Sequence, residues 1–142
     1  MYKKILVPLD NSATDKAILE HIRGLAKLCS AKLLLVHVAD GFVARQQSST
    51  NLAESEEMRV DRNYLETQTA ALLSEGFSAS YLLLCGEPAA EILKAVESEA
   101  CDLIAMATHG HGPVADLVLG SVAEQIRHKT SIPVLMLRSL AR

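Results

Sequence analysis

A doubly wound α/β fold on a parallel sheet is predicted by three observations. Five apolar runs, Ile5 to Leu9, Leu33 to Val38, Tyr81 to Leu84, Leu103 to Met106 and Val134 to Leu137, are separated by segments with helical periodicity, which gives a β-α-β-α-β-α-β-α-β alternation. The runs are near-continuous rather than alternating, and a strand of that kind is buried on both faces, so helices are expected on both sides of five parallel strands. The chain has 142 residues with no linker or repeat, which fits one domain over 1–142 able to bury roughly 68% of its unfolded surface.

Each element has its own signal. The first strand ends in Pro8-Leu9-Asp10-Asn11-Ser12, and the first helix is expected to start near Ser12 or Thr14. It places Ile18, Ile22, Leu25, Ala26 and Cys29 on one face and Lys16, Glu20, Arg23 and Lys27 on the other. After the second strand, Gly41 to Asn51 is polar and rich in Gln and Ser; it reads as a surface loop or as a lid, leading to a helix around Leu52 to Leu73. The third helix begins at Pro88, a favoured first-turn residue, and turns Ala89, Ile92, Leu93 and Val96 inward with Glu91 and Glu97 toward water. The fourth, amphipathic from Val122 through Ala123 and Ile126, ends in Arg127-His128-Lys129, cations suited to the negative helix end.

The junction of the fourth strand and fourth helix carries the strongest functional signal. Ala107-Thr108-His109-Gly110 is followed after nine residues by Gly120-Ser121. Glycines there let backbone N–H groups approach an anion, and a helix N-terminus adds partial positive charge. Ser121-Val122-Ala123-Glu124 reads as a capping box, with Ser121 accepting from the Glu124 N–H. No G-x-x-x-x-G-K-[ST] occurs, which disfavours a P-loop ATPase. Gly110-His111-Gly112-Pro113-Val114-Ala115 satisfies G-x-G-x-x-A, but the acid expected about 20 residues on falls in the apolar run from Pro133 to Leu137, so the dinucleotide fingerprint is rejected. A tight loop without ligand is the plain alternative. In parallel sheets ligands sit beyond the carboxyl ends of the strands, where strand one supplies Asp10. Its carboxylate suits ribose hydroxyls or an adenine amine, and equally suits capping the first helix.

Composition excludes several classes. Net charge is -3, aromatics are 4%, and there is no basic stripe, which disfavours nucleic acid. The N-terminal apolar run is too short for a signal segment and no run approaches a membrane span, so no membrane association and a cytoplasmic address are expected. Cys29, Cys85 and Cys101 are odd in number and widely separated, as suits reduced thiols. His109-x-His111 lacks an identifiable third ligand, so no metal site is expected from protein side chains alone. His37 on an apolar strand reads as a satisfied core histidine, while His21 and His128 lie on solvated helix faces.

Asp10 after the first strand, Val36-His37-Val38 in the second, Gly86-Glu87-Pro88 after the third and Gly110-x9-Gly120-Ser121 together make the whole chain resemble the universal stress protein family. Its motif is G-x-x-G, nine residues, then G-[ST]; Ala107 stands in place of the first glycine and His111 where relatives often carry Arg or Lys. The resemblance implies a Rossmann-like sheet of order 3-2-1-4-5, an ATP (or AMP or ADP) site with Mg²⁺, and homodimers paired through the strand Val134 to Leu137. It also implies that Pro8, Leu9, Asp10 and the backbone around Val38 meet the nucleoside, that Met106 and Ala107 line its path, and that Gly110, Gly120, Ser121 and Val122 hold phosphates. The added methyl of Ala107, the lack of an obligatory cation and the nearby Asp116 predict weaker ATP binding than in relatives with the full motif.

Three functions compete: an adenine-nucleotide-binding regulatory protein of stress response, a dimeric adaptor binding no nucleotide but an unidentified protein partner, and a nucleotide-directed enzyme. The adaptor draws on Ala107 and on an apolar last strand whose edge needs covering. No Ser-His-Asp or Cys-His arrangement is arguable, so no catalytic residue is assigned and slow ATP hydrolysis remains only a side activity.

Overall fold

A computed structural model describes residues 1–39, 56–109 and 113–139. Strands β1 (Lys4–Pro8), β2 (Lys32–Ala39), β3 (Ala79–Cys85), β4 (Leu103–His109) and β5 (Val134–Ser139) alternate with helices α1 (Thr14–Cys29), α2 (Glu56–Ser74), α3 (Pro88–Ser98) and α4 (Pro113–Lys129). The strands form one all-parallel sheet, as their apolar pattern predicts, of order β3-β2-β1-β4-β5, as the family resemblance implies. The register sets Ile5 beside Leu33 on one side and Leu103 on the other.

The apolar runs are continuous because successive residues serve two cores. Ile5, Val7, Leu33, Leu35, Leu103 and Ala105 point to a layer built with Ile18 and Ile22 of α1 and Leu65 and Leu72 of α2. Their neighbours Leu6, Leu34, Val36, Ile104 and Met106 point the other way, against Ala89, Ile92 and Val96 of α3 and Ala123 and Ile126 of α4. Period-two side-chain alternation under helices on both faces produces this division. Each fully buried Leu or Ile here contributes roughly 1.5–3 kcal/mol of transfer free energy.

Polar groups fasten the ends of the strands. The Asp102 carboxylate accepts the Lys3 and Lys4 N–H groups at 2.8 and 3.1 Å, joining the starts of β1 and β4. Helix α1 leaves through Ser30 in the left-handed region (φ 54°). Helix α3 is capped by Glu87, whose side chain accepts the Ala90 N–H at 2.8 Å ahead of Pro88. The expected inward face of α1 is seen at Ile18, Ile22 and Ala26, joined by Leu19, whereas Leu25 and Cys29 are half-buried. In α3, Ala95 joins the interior and Leu93 and Glu91 are half-buried.

One expectation is corrected. Helix α4 opens at Pro113, not at Ser121, so Gly120 and Ser121 lie inside it. Proline's fixed φ suits a first helical position, and Val114, Val118, Val122 and Ile126 repeat every four residues through the Gly-Ser pair. Ser121 therefore caps nothing; it is exposed, and its hydroxyl oxygen lies 3.4 Å from the Gln125 Nε2 that donates to it. The polar segment from Gly41 to Asn51 and the helix start near Leu52 lie outside the described residues.

Candidate functional site

The turn leaving β1 is organised by its own acids. Asn11 adopts φ 59°, in the left-handed region open to Asn at small cost. Asp10 Oδ1 accepts the Ser12 N–H at 3.1 Å and the Ser12 hydroxyl at 2.5 Å. Asp15, in the first turn of α1, accepts the Asp10 N–H at 3.1 Å, the Asn11 N–H at 2.8 Å and the Tyr64 hydroxyl of α2 at 2.6 Å. The residue is only 3% exposed. Burial pushes its carboxyl up to about 6; the donors from Tyr64 and Asp10 oppose this, and the Asp10 carboxylate reinforces it. Burial also raises the Tyr64 hydroxyl, aided by the Asp15 carboxylate that accepts its hydrogen.

His37 on β2 is satisfied at both nitrogens. Nδ1 lies 2.8 Å from the Leu9 carbonyl oxygen, which only accepts, so Nδ1 carries a hydrogen. Nε2 faces Asp61 Oδ2 of α2 at 3.2 Å. The reading of His37 as a satisfied core histidine agrees with this geometry. Cys101 is buried, and that burial lifts its thiol to about 11, far from thiolate reactivity at neutral pH.

Asp10, Asp15 and His37 help wall a cavity of about 300 Å³ beyond the carboxyl ends of β1, β2 and β4, a size within the usual range for small-molecule sites. Pro8, Leu9 and Asp10 come from β1 and its turn, Val36, His37 and Val38 from β2, and Met106 and Ala107 from β4. Thr14 and Asp15 of α1, Pro88 and Ile92 of α3 and Val122 of α4 complete it. The order β3-β2-β1-β4-β5 reverses direction between β1 and β4, so the cavity lies where ligands enter such sheets. A larger open cleft of about 590 Å³ sits at the opposite ends of β2 and β3, but its Arg23 is closed by Glu75 at 2.8 Å.

Of the residues expected around a ligand, Pro8, Leu9, Asp10, Val38, Met106, Ala107 and Val122 meet at this cavity. Gly110 lies outside the described residues, as does His111. Gly120 and Ser121 lie on α4, and Ser121 is not among the described residues lining the cavity. Sequence reasoning missed Asp15, whose first-turn position looks like ordinary helix-dipole complementation, and it missed Thr14, Pro88 and Ile92 as walls. Among the described residues no three His, Cys, Asp or Glu side chains converge on a metal position, and no helix is long and apolar enough to cross a membrane.

The model of the universal stress protein family matches residues 1–138. The chain belongs to the universal stress protein family. Among curated members, universal stress protein MJ0577 of Methanocaldococcus jannaschii is 29% identical over 155 residues, covering 97% of this chain and 96% of that protein. A universal stress protein of Thermus aquaticus is 33% identical over 138 residues, covering 97% and 100%. The solved structure of MJ0577 superposes with a TM-score of 0.83 at 31% identity, covering 100% of this chain and 99% of that one. A universal stress protein from Archaeoglobus fulgidus, solved in complex with dAMP, shares the fold at a TM-score of 0.71 and 20% identity, covering 95% and 97%.

Proposed function

We propose that this universal stress protein binds an adenine nucleotide at the cavity beyond β1, β2 and β4 and acts, as a single-domain homodimer, as a nucleotide-dependent regulator in stress response. The observation that carries the reading is the meeting of Asp10, Val38, Met106, Ala107 and Val122 around one cavity at the switch point of the sheet. The complex of the Archaeoglobus fulgidus relative with dAMP, and that of another family member with cAMP, support the same ligand class on the shared fold. The apolar walls take the purine, and Asp10 accepts from the ribose hydroxyls or the adenine amine. Phosphates then extend toward Gly110 and the Gly120-Ser121 pair, with Mg²⁺ neutralising charge that no Lys or Arg among the described cavity-lining residues balances.

Calorimetric titration of nucleotide-stripped protein with Mg-ATP tests this, with Gly120→Leu as the control. Leucine is tolerated by a helix interior, so loss of binding in a variant that still melts cooperatively reports on the proposed phosphate path rather than on the fold. Heat in the parent and none in the variant is the expected result; silence in both overturns the reading.

The second reading, a dimeric adaptor, rests on β5. Among the described residues this strand pairs only with β4, and Met136 is 40% exposed beside it. Leu135 packs against the α1 side of the core, where a charge would disturb the fold itself. Met136→Glu is therefore the cleaner probe. A change from dimer to folded monomer in light scattering supports pairing through β5, and an unaltered dimer removes it.

A further inference from the structure

No α2 residue is among the described residues lining the nucleotide cavity, yet α2 holds two that are. Tyr64 donates its hydroxyl to Asp15 Oδ2 at 2.6 Å, and Asp61 Oδ2 lies 3.2 Å from His37 Nε2. Each held side chain in turn holds the main chain leaving β1. His37 Nδ1 donates to the Leu9 carbonyl oxygen at 2.8 Å, and Asp15 accepts the Asp10 N–H at 3.1 Å and the Asn11 N–H at 2.8 Å. Three successive residues are therefore fixed through two side chains anchored on α2. Asp10, which the nucleotide reading sets against the ligand, is the middle one. Asn11 beside it sits at φ 59°, where few non-glycine residues are found, and such a conformation persists where surrounding contacts over-determine it. Leu9, Asp15 and Asp61 are all buried, so water is a poor substitute for a deleted partner.

We propose that Tyr64 and Asp61 of α2 are positioning residues for the nucleotide: without lining its cavity, they preset the turn from Leu9 to Asn11 that brings Asp10 to it. This inference rests on the nucleotide-binding reading above. A turn already fixed in its binding conformation lowers the ordering cost of association, so loosening either anchor weakens affinity in a protein that stays folded. Linkage runs the other way as well. A ligand that favours the fixed turn favours, by the same factor, the α2 contacts that fix it. A second tether on the same helix separates positioning from general support of α2. The Tyr81 hydroxyl donates to Glu66 Oε1 at 2.9 Å, fastening α2 to β3 rather than to the turn.

The test is Mg-ATP titration of the nucleotide-stripped parent, Tyr64→Phe, Asp61→Ala, Asp61→Asn and Tyr81→Phe, each first shown to melt cooperatively above the titration temperature. Affinity is expected to fall about fivefold or more in Tyr64→Phe and in Asp61→Ala. It is expected to recover in Asp61→Asn, whose side-chain amide can still donate to or accept from the His37 ring, and to stay at the parent value in Tyr81→Phe. Hydrogen exchange followed by mass spectrometry needs no variant: Mg-ATP is expected to slow exchange of the parent across residues 59–65, away from the cavity lining. Parent-level affinity in Tyr64→Phe or Asp61→Ala, no recovery in Asp61→Asn, an equal loss in Tyr81→Phe, or exchange in α2 that ligand leaves unaltered overturns the positioning role while leaving nucleotide binding intact. Absence of binding in the parent overturns the nucleotide reading itself, and this inference with it.

Discussion

The Tyr64 hydroxyl donates to Asp15 Oδ2 across 2.6 Å, joining α2 to the first turn of α1 through residues 49 apart in sequence. Three residues earlier on α2, Asp61 meets His37. One turn of α2 thus grips two side chains that line the cavity, and the helix cannot shift without disturbing both.

Replacing Tyr64 with Phe removes the hydroxyl and leaves the ring. Loss of a hydrogen bond to a buried charged acceptor costs on the order of 1.5–3 kcal/mol. The loss is expected to be larger at pH 8, where Asp15 is ionised, than at pH 5, and urea denaturation at the two pH values measures it. Equal losses at both would mean that Asp15 does not change charge between them.

Asp15 also makes stability depend on pH in an unusual direction. Its folded-state value of about 6 lies above the ordinary 3.8, so the native protein holds this proton more tightly than the unfolded chain. The contribution is fully present below about pH 3.8 and is lost as pH climbs through 6. The shift corresponds to roughly 3 kcal/mol at full extent. Asp15→Asn, neutral throughout, is expected to gain stability relative to the parent between pH 4 and 7, as chemical denaturation across that range will show.

The two candidate helix caps should behave differently. Glu87→Ala deletes a cap that accepts the Ala90 N–H and should destabilise by about 1 kcal/mol. Ser121→Ala, in the exposed interior of α4, should change stability by less than about 0.5 kcal/mol. A loss at Ser121 comparable to that at Glu87 would restore the helix start there.

Gly86 turns the chain from β3 into α3 at φ 138°, and a Cβ placed on it meets Glu91 Cγ at 3.0 Å. Gly86→Ala combines a backbone conformation disfavoured for L-residues with that contact, and at least about 1 kcal/mol of destabilisation is expected by thermal melting.

The strands were legible because Leu33 to Val38, His37 apart, and Leu103 to Met106 are apolar at successive positions, which burial on both faces explains. The α1 face was legible from Ile18, Ile22 and Ala26 for the same reason. Of the site, Asp10, Val38 and Met106 were visible as strand ends. The start of α4 was misread because Gly120-Ser121 has the composition of a helix beginning, while the real signal was Pro113 and the four-residue repeat running through that pair. Asp15 was invisible as a cavity residue because its burial depends on Tyr64 of α2, a partner that no local pattern identifies.

The register of the central strand has a consequence for synthesis. Ile5, Leu6 and Val7 are 0% exposed in the folded chain, yet β1 emerges first and its partner Leu103 follows almost a hundred residues later. Until β4 has left the ribosome, one edge of the central strand stays open, and pairing over such separation is slow to form. The nascent chain is therefore most prone to aggregate before β4 emerges, and chaperone contact should concentrate on β1 in ribosome-bound chains whose β4 is still inside the ribosome.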